Sequence, residues 1–132
     1  MVTAPILQAQ QDLSNIGKEL AAAPFDANGT TTITSKQLGI KAASPFSIKV
    51  QLLHGGRQEG VMLVTIDTGA MKITVVPTRG MNVLQAVAGD VRLGWHSPVK
   101  EVVNPSFIEL TGRNGLGWLE GFNELVTRCG YE

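Results

Sequence analysis

Residues 46–52, Phe-Ser-Ile-Lys-Val-Gln-Leu, alternate strictly between apolar and polar side chains. Successive side chains of a β-strand point to opposite faces, so Phe46, Ile48, Val50 and Leu52 share one face and the polar residues share the other. An antiparallel strand with one buried face and one face in water has this pattern. The stretch therefore predicts an antiparallel sheet in which one side is covered.

Four more short strands are predicted downstream of this one. They span Val61 to Ile66, Met71 to Val76, Val83 to Val87, and Val91 to Trp95. The segments Asp67-Thr68-Gly69 and Gly89-Asp90 are turn signals between them, and Pro77 ends the Met71–Val76 strand because it cannot donate to the ladder. Short strands at this spacing, without intervening helices, predict an all-β fold, an antiparallel meander that belongs to a β-sandwich or barrel.

Upstream of Pro24 the period of the apolar residues is helical. Within residues 4–22 they recur at spacings near three and four, at Ile6, Ala9, Leu13, Ile16 and Leu20. Pro5 suits a first helical turn, and Pro24 ends the segment. We therefore expect residues 1–24 to form an N-terminal α-helical extension and residues 25–132 to belong to the β domain.

Residues 94–117 follow neither period and are rich in glycine and proline. A loop of this length within a compact domain is usually functional, disordered or misassigned, and its aromatic and apolar residues argue against disorder. After the loop, Phe122 to Cys129 is predicted to form a further strand. Because strands such as residues 61–64 are apolar on both faces, we expect them to lie in the middle of a larger sandwich, of which this chain is a shortened part.

Composition excludes several classes of function. The chain has 43% hydrophobic and 17% charged residues, as expected of a globular protein, with 11 basic and 11 acidic side chains. Zero net charge gives no long-range attraction for nucleic acid or an anionic membrane surface. No apolar run approaches the roughly 18 residues of a membrane span, and no signal peptide is evident, so a cytoplasmic protein is expected. Cys129 is the single cysteine, which excludes an intrachain disulfide and a cysteine-based zinc cage.

Five blocks of sequence carry a resemblance to a known family. They are residues 63–69 (LVTIDTG), 75–81 (VVPTRGM), 93–99 (LGWHSPV), 115–125 (GLGWLEGFNEL) and 127–130 (TRCG). In order and spacing these blocks resemble the bacterial aldose 1-epimerase-like family DUF4432, within the galactose-mutarotase-like superfamily. The resemblance covers about residues 50–132 and corresponds to the N-terminal third of such a protein.

The resemblance implies a partial galactose-mutarotase-like supersandwich that binds a small-molecule sugar without any cofactor or metal. In the superfamily a histidine and a glutamate act as acid and base on the sugar. The family's His-Gly block follows the Arg-Cys-Gly block, and this sequence ends before it. We therefore expect carbohydrate binding by a truncated domain, with isomerase activity only if downstream sequence completes it. The alternatives are a non-catalytic carbohydrate-binding module and a gene fragment without function of its own.

No catalytic residue is assigned, but four positions are candidates for sugar binding around the long loop. Arg79, in a family block, could bind sugar hydroxyls or a carboxylate through its planar guanidinium, or could instead bond loop carbonyls as a structural arginine. His96 could bind a hydroxyl, or be a solvated loop residue. Trp95 and Trp118 could stack on the C–H faces of a sugar, or fill the core.

Glu124 and Arg128 complete the candidate site. In a strand they share a face with Phe122 and would form a pocket wall, whereas in a helix they would form an ordinary salt bridge on a solvated surface. We place the expected site between the turn at residues 79–81 and the long loop, with these two residues on an adjoining wall. Exposed sheet surface left by truncation would favour self-association.

Overall fold

A computed structural model describes residues 11, 14–19 and 22–127 of the chain. The predicted all-β antiparallel class is confirmed. Within the described residues six strands form one sheet, in which each strand pairs with the next strand of the sequence. The strands are β1 (Thr30–Thr34), β2 (Ser47–Leu52), β3 (Met62–Asp67), β4 (Lys72–Val76), β5 (Asn82–Ala88) and β6 (Val91–Leu93).

Strand β1 is the strand that the sequence pattern did not predict. Its residues are Thr-Thr-Thr-Ile-Thr, which show no apolar alternation although their β-branched side chains favour an extended backbone. The side chain of Asp26 accepts hydrogen bonds from the backbone N–H groups of Asn28 (2.8 Å) and Thr30 (2.9 Å) and so forms the turn that leads into the strand. β1 then pairs antiparallel with β2.

The N-terminal helical prediction is confirmed at the described residues 11, 14–19 and 22, and the rest of the range 4–22 lies outside them. The backbone N–H of Ala23 donates to the Glu19 carbonyl at 2.9 Å, directly before Pro24. This end of the helix lies beside β1, since Glu19 and Pro24 line one hollow together with Ile33. No helix in the described part of the chain is long and apolar enough to cross a membrane.

Two cross-strand rows on opposite faces of the sheet differ in character. On one face a cross-strand row runs through Ile33, Ile48, Ile66, Ile73 and Ala86. On the other face the neighbouring row is polar and runs through Thr32, Lys49, Thr65, Thr74 and Gln85. The polar row leads across the sheet to Gln85 in β5, and this side chain takes part in the candidate site.

A small core forms where the long loop packs on the sheet. Val61 and Val76 have no exposed surface, and Val102 of the long loop is 9% exposed and completes the cluster. Leu63 and Leu84 pack against this cluster from β3 and β5. Burying a valine contributes about 1.5–3 kcal/mol. The loop is therefore held to the sheet by the same apolar contacts that stabilise the strands.

Candidate functional site

The long loop is fixed at its middle by Asn104. Its backbone N–H donates to the Arg57 carbonyl and its side-chain Nδ2 donates to the Glu59 carbonyl, both at 2.8 Å. Its Oδ1 accepts from the backbone N–H of Ser106 at 3.0 Å and caps the short 3-10 turn Pro105–Phe107. One asparagine thus attaches the loop to the connection between β2 and β3.

The segment after the loop is tied to the start of the loop. Ser97 Oγ donates to the Phe122 carbonyl at 2.8 Å, and Asn123 Nδ2 donates to the Glu101 carbonyl at 2.9 Å. Both Ser97 and Asn123 are buried, so these bonds are shielded from water. They hold residues 122 and 123 at fixed positions between the loop and the sheet.

A buried ion pair joins the turn after β4 to this segment. Arg79 Nη2 lies 2.8 Å from Glu124 Oε1, and the two side chains are 9% and 0% exposed. Asn82 Nδ2 donates to the same Oε1 at 3.1 Å, and the Asn123 backbone N–H donates to Oε2 at 3.0 Å. The charge of Glu124 is therefore compensated by one cation and two neutral donors.

Arg79 makes a second contact within the same network. Its Nη1 donates to Asn123 Oδ1 at 3.2 Å. Burial lowers the pKa of the Arg79 guanidinium, whereas the negative charge of Glu124 acts in the opposite direction. Because an arginine guanidinium stays protonated in proteins, the pair is ionic.

Three aromatic rings form a row at the mouth of the site. Phe122 stands between Trp95 and Trp118, with ring centroids 5.4 Å from the first and 5.3 Å from the second. Trp95 is 42% exposed and Trp118 is 43% exposed. Phe122 therefore contacts each tryptophan on one side of the indole ring, and the rest of that ring is exposed to solvent.

Each tryptophan lines a different cavity. The Trp95 cavity, of about 220 Å³, is lined by Leu84, Gln85, Arg92, Trp95, His96, Ser97, Val99, Lys100, Val102 and Asn123. The Arg79 cavity, of about 510 Å³, is lined by Arg79, Asn82, Pro105, Ile108, Leu110, Trp118, Phe122 and Thr127. The single pocket expected from the sequence is thus two cavities with Phe122 between the tryptophans.

The long loop ends in a tight return. Arg113 and Asn114 adopt left-handed backbone angles, with φ of 53° and 58°, which costs about 1–2 kcal/mol per non-glycine residue. A Cβ atom on Gly117 would overlap the backbone carbonyl oxygen of Glu109. Gly117 therefore lets two segments of backbone touch, and this contact places Trp118 at the Arg79 cavity.

The structure brings four predicted site residues to the cavities and buries a fifth. Arg79 and Trp118 line one cavity, and Trp95 and His96 line the other. β6 ends at Leu93, before the predicted end of this strand at Trp95, and Trp95 and His96 line the same cavity. The binding roles of these residues stay predictions.

The strand predicted over Phe122–Cys129 is wrong in its described part. Between residues 122 and 127 only Val126 makes a ladder contact, an isolated antiparallel bridge to Val83. Glu124 is turned inward to Arg79 instead of forming an open pocket wall, because its carboxylate finds three donors there. Arg128 and Cys129 lie outside the described residues.

Sequence reasoning missed several polar residues that the fold brings to the site. Gln85, Arg92 and Lys100 line the Trp95 cavity, and Asn82 and Asn123 hold the buried ion pair. Asn123 lies within the family block 115–125, and Asn82, Arg92 and Lys100 each directly adjoin a block, whereas Gln85 had no sequence signal. In the part of the chain that the structure describes, no three histidine, cysteine, aspartate or glutamate side chains converge as they would around a metal ion.

Comparisons with known proteins give one family and one solved structure. The model of the family "Domain of unknown function (DUF4432)" matches residues 58–132, more than half of the chain. A crystal structure from Klebsiella pneumoniae subsp. pneumoniae, described as a "putative aldose 1-epimerase", is 56% identical with a TM-score of 0.67 over 73% of this chain. The chain spans 25% of the length of that protein. No curated protein matches the chain.

Proposed function

This chain belongs to the DUF4432 family, and from that premise we propose that it is the sugar-binding part of an aldose 1-epimerase-like domain. The proposal is supported by its 56% identity to the Klebsiella pneumoniae protein. It is also supported by two cavities with half-exposed tryptophans, one of which is lined by Gln85 of the polar row. In this proposal the ligand is a monosaccharide, and the sheet is the rigid scaffold that positions the loops around it.

The observation that carries the proposal is the Trp95 cavity. Its volume of about 220 Å³ lies below the roughly 300–1,000 Å³ of pockets for drug-sized ligands, as a single sugar ring requires. Trp95 offers a flat apolar surface at one side, and contact with Phe122 fixes its ring. Gln85 and His96 place an amide and an imidazole group around the same space. A sugar needs this combination of one stacking surface and several hydrogen-bonding groups.

The proposed function is sugar binding and does not include catalysis of the interconversion of sugar anomers. Interconversion of anomers needs a base for the anomeric hydroxyl proton and an acid for the ring oxygen. His96 at the Trp95 cavity has the chemistry for one of these roles. Glu124 is 1% exposed and paired with Arg79, so it is not placed to exchange a proton with a bound sugar.

We expect Trp95→Ala to weaken monosaccharide binding about tenfold or more, because the stacking surface and its buried apolar area are lost together. Isothermal titration calorimetry of the full chain with glucose and galactose measures this change. Trp118→Ala is the matched control, since Trp118 has the same residue type and nearly the same exposure and also contacts Phe122. If Trp118→Ala weakens binding and Trp95→Ala does not, the sugar occupies the Arg79 cavity instead.

We also expect the full chain not to accelerate the interconversion of sugar anomers. The physical reason is that Glu124, the carboxylate predicted to belong to the site, is buried in an ion pair with Arg79. Polarimetry of freshly dissolved glucose and galactose, with and without protein, measures the rate. An acceleration that depends on the protein and disappears after heat denaturation would show that the acid and base are both present.

A further inference from the structure

Three basic side chains line the Trp95 cavity. Arg92 comes from β6, and His96 and Lys100 come from the first part of the long loop. The residues that line this cavity include no aspartate or glutamate. The chain as a whole has 11 lysine and arginine residues and 11 aspartate and glutamate residues. The excess of positive charge at this cavity is therefore local and does not follow from the overall composition.

The charges of Arg92 and Lys100 are not compensated by a carboxylate within the described residues. Some other cations of the fold do have a carboxylate partner: Lys72 lies 3.0 Å from Asp67, and Arg79 lies 2.8 Å from Glu124. By contrast, Lys100 Nζ donates to a neutral acceptor, the Ser97 carbonyl, at 2.9 Å. Neutral acceptors fix the position of a cation and leave its charge available to a ligand.

Arg92 is held in the same way. Its Nε donates to Gln85 Oε1 at 2.9 Å, and among the described residues its two terminal nitrogens have no hydrogen-bond partner. The guanidinium lies against Gly94, where an added Cβ would come within 3.1 Å of Cζ and of both terminal nitrogens. The absence of a side chain at Gly94 thus makes room for the planar group beside the cavity.

We propose that the Trp95 cavity takes a sugar that bears a negatively charged group, a phosphate or a carboxylate, and that Arg92 and Lys100 bind this group. The inference rests on the proposed sugar-binding function and adds the class of ligand to it. A guanidinium with its terminal N–H donors unused matches the bidentate geometry of phosphate and carboxylate oxygens, and an ammonium group adds a second point charge.

The test is a set of titrations of the full chain by calorimetry. The ligands are glucose, glucose 6-phosphate, glucuronate and inorganic phosphate. We expect one of the two anionic sugars to bind at least tenfold more tightly than glucose, and the better one identifies the charged group. Arg92→Gln and Lys100→Gln should each reduce this preference about five- to tenfold. Raising the ionic strength should reduce it as well, because both side chains are exposed.

Lys49→Gln is the matched control, since it removes one positive charge from the same face of the sheet. Lys49 lies three strand spacings from Gln85 in the polar row, which is about 14 Å, so the preference should be unchanged. Equal affinity for glucose and both anionic sugars would overturn the inference and leave sugar binding intact. Inorganic phosphate binding as tightly as glucose 6-phosphate would also overturn it, because the sugar would then not be recognised. Binding of none of the sugars would overturn both proposals.

Discussion

Replacing Glu124 with alanine is expected to lower the free energy of unfolding by about 3–5 kcal/mol, because the change leaves the Arg79 guanidinium buried without its counter-ion. The Arg79 side chain is only 9% exposed, so water cannot replace the lost carboxylate without movement of the surrounding loop. Two further donors, on Asn82 and on the Asn123 backbone, lose their acceptor at the same time. Urea unfolding of the full chain, followed by tryptophan fluorescence, measures the loss.

Glu120→Ala is the control for this prediction. Glu120 lies in the same part of the chain and is also ion-paired, with Arg57 at 3.7 Å, but both of those side chains are nearly half exposed. An exposed pair contributes about 0–1 kcal/mol, so Glu120→Ala should change stability little. In the double variant Arg79→Ala/Glu124→Ala, part of the loss should be recovered, since no uncompensated charge remains. Equal losses for Glu120→Ala and Glu124→Ala would contradict the importance of the buried pair.

Gly117→Ala is expected to destabilise the fold by about 3 kcal/mol, because the new methyl group would occupy the position of the Glu109 carbonyl oxygen. That carbonyl cannot move freely, since it accepts a hydrogen bond from the Gly112 N–H at 3.1 Å. Separation of the two backbone segments would also displace Trp118 from the Arg79 cavity. Urea unfolding measures the loss of stability, and the near-ultraviolet circular dichroism of the native state reports the displaced tryptophan.

Gly112→Ala provides the matched comparison within the same return of the loop. A Cβ at Gly112 would meet only the Glu109 Cβ, at 3.9 Å, which is an ordinary van der Waals contact. We therefore expect its effect to be within about 0.5 kcal/mol, as for other substitutions without a steric conflict. If both substitutions have equally small effects, the loop can open at Glu109 without cost, and the close approach at Gly117 does not stabilise the fold.

The strands that could be predicted from the sequence are those with an apolar face. Residues 46–52 alternate between apolar and polar side chains, and an apolar run starts at Val61. Both patterns indicate burial of a strand face, and β2 and β3 form at these positions. β1 has no such signal. Its threonines favour an extended backbone, but they do not alternate with apolar residues. The predicted strand after Phe122 is wrong because the carboxylate of Glu124 forms hydrogen bonds within a buried network, and no local pattern contains that information.

The candidate site could be predicted only at the level of its segments. The turn at Arg79 and the tryptophan-flanked loop do approach each other, as expected for the two segments placed around the site. The hydrogen bond between Arg79 and Asn123 could not be predicted, since 44 positions separate them and only the tertiary fold brings them together. Arg92 and Lys100 were not predicted either, because an isolated basic residue is usually solvated. Only the cavity that they share in the tertiary fold distinguishes them.

The order of the strands in the sheet has a consequence for folding kinetics. Every strand pairs with the next one along the chain, so each pairing closes a short loop and loses little chain entropy. Such local contacts favour rapid formation of successive hairpins. The bridge between Val83 and Val126 and the pair between Arg79 and Glu124 instead join distant parts of the chain. These contacts carry the larger entropic cost of closure, so we expect the cavities to assemble after the sheet has formed.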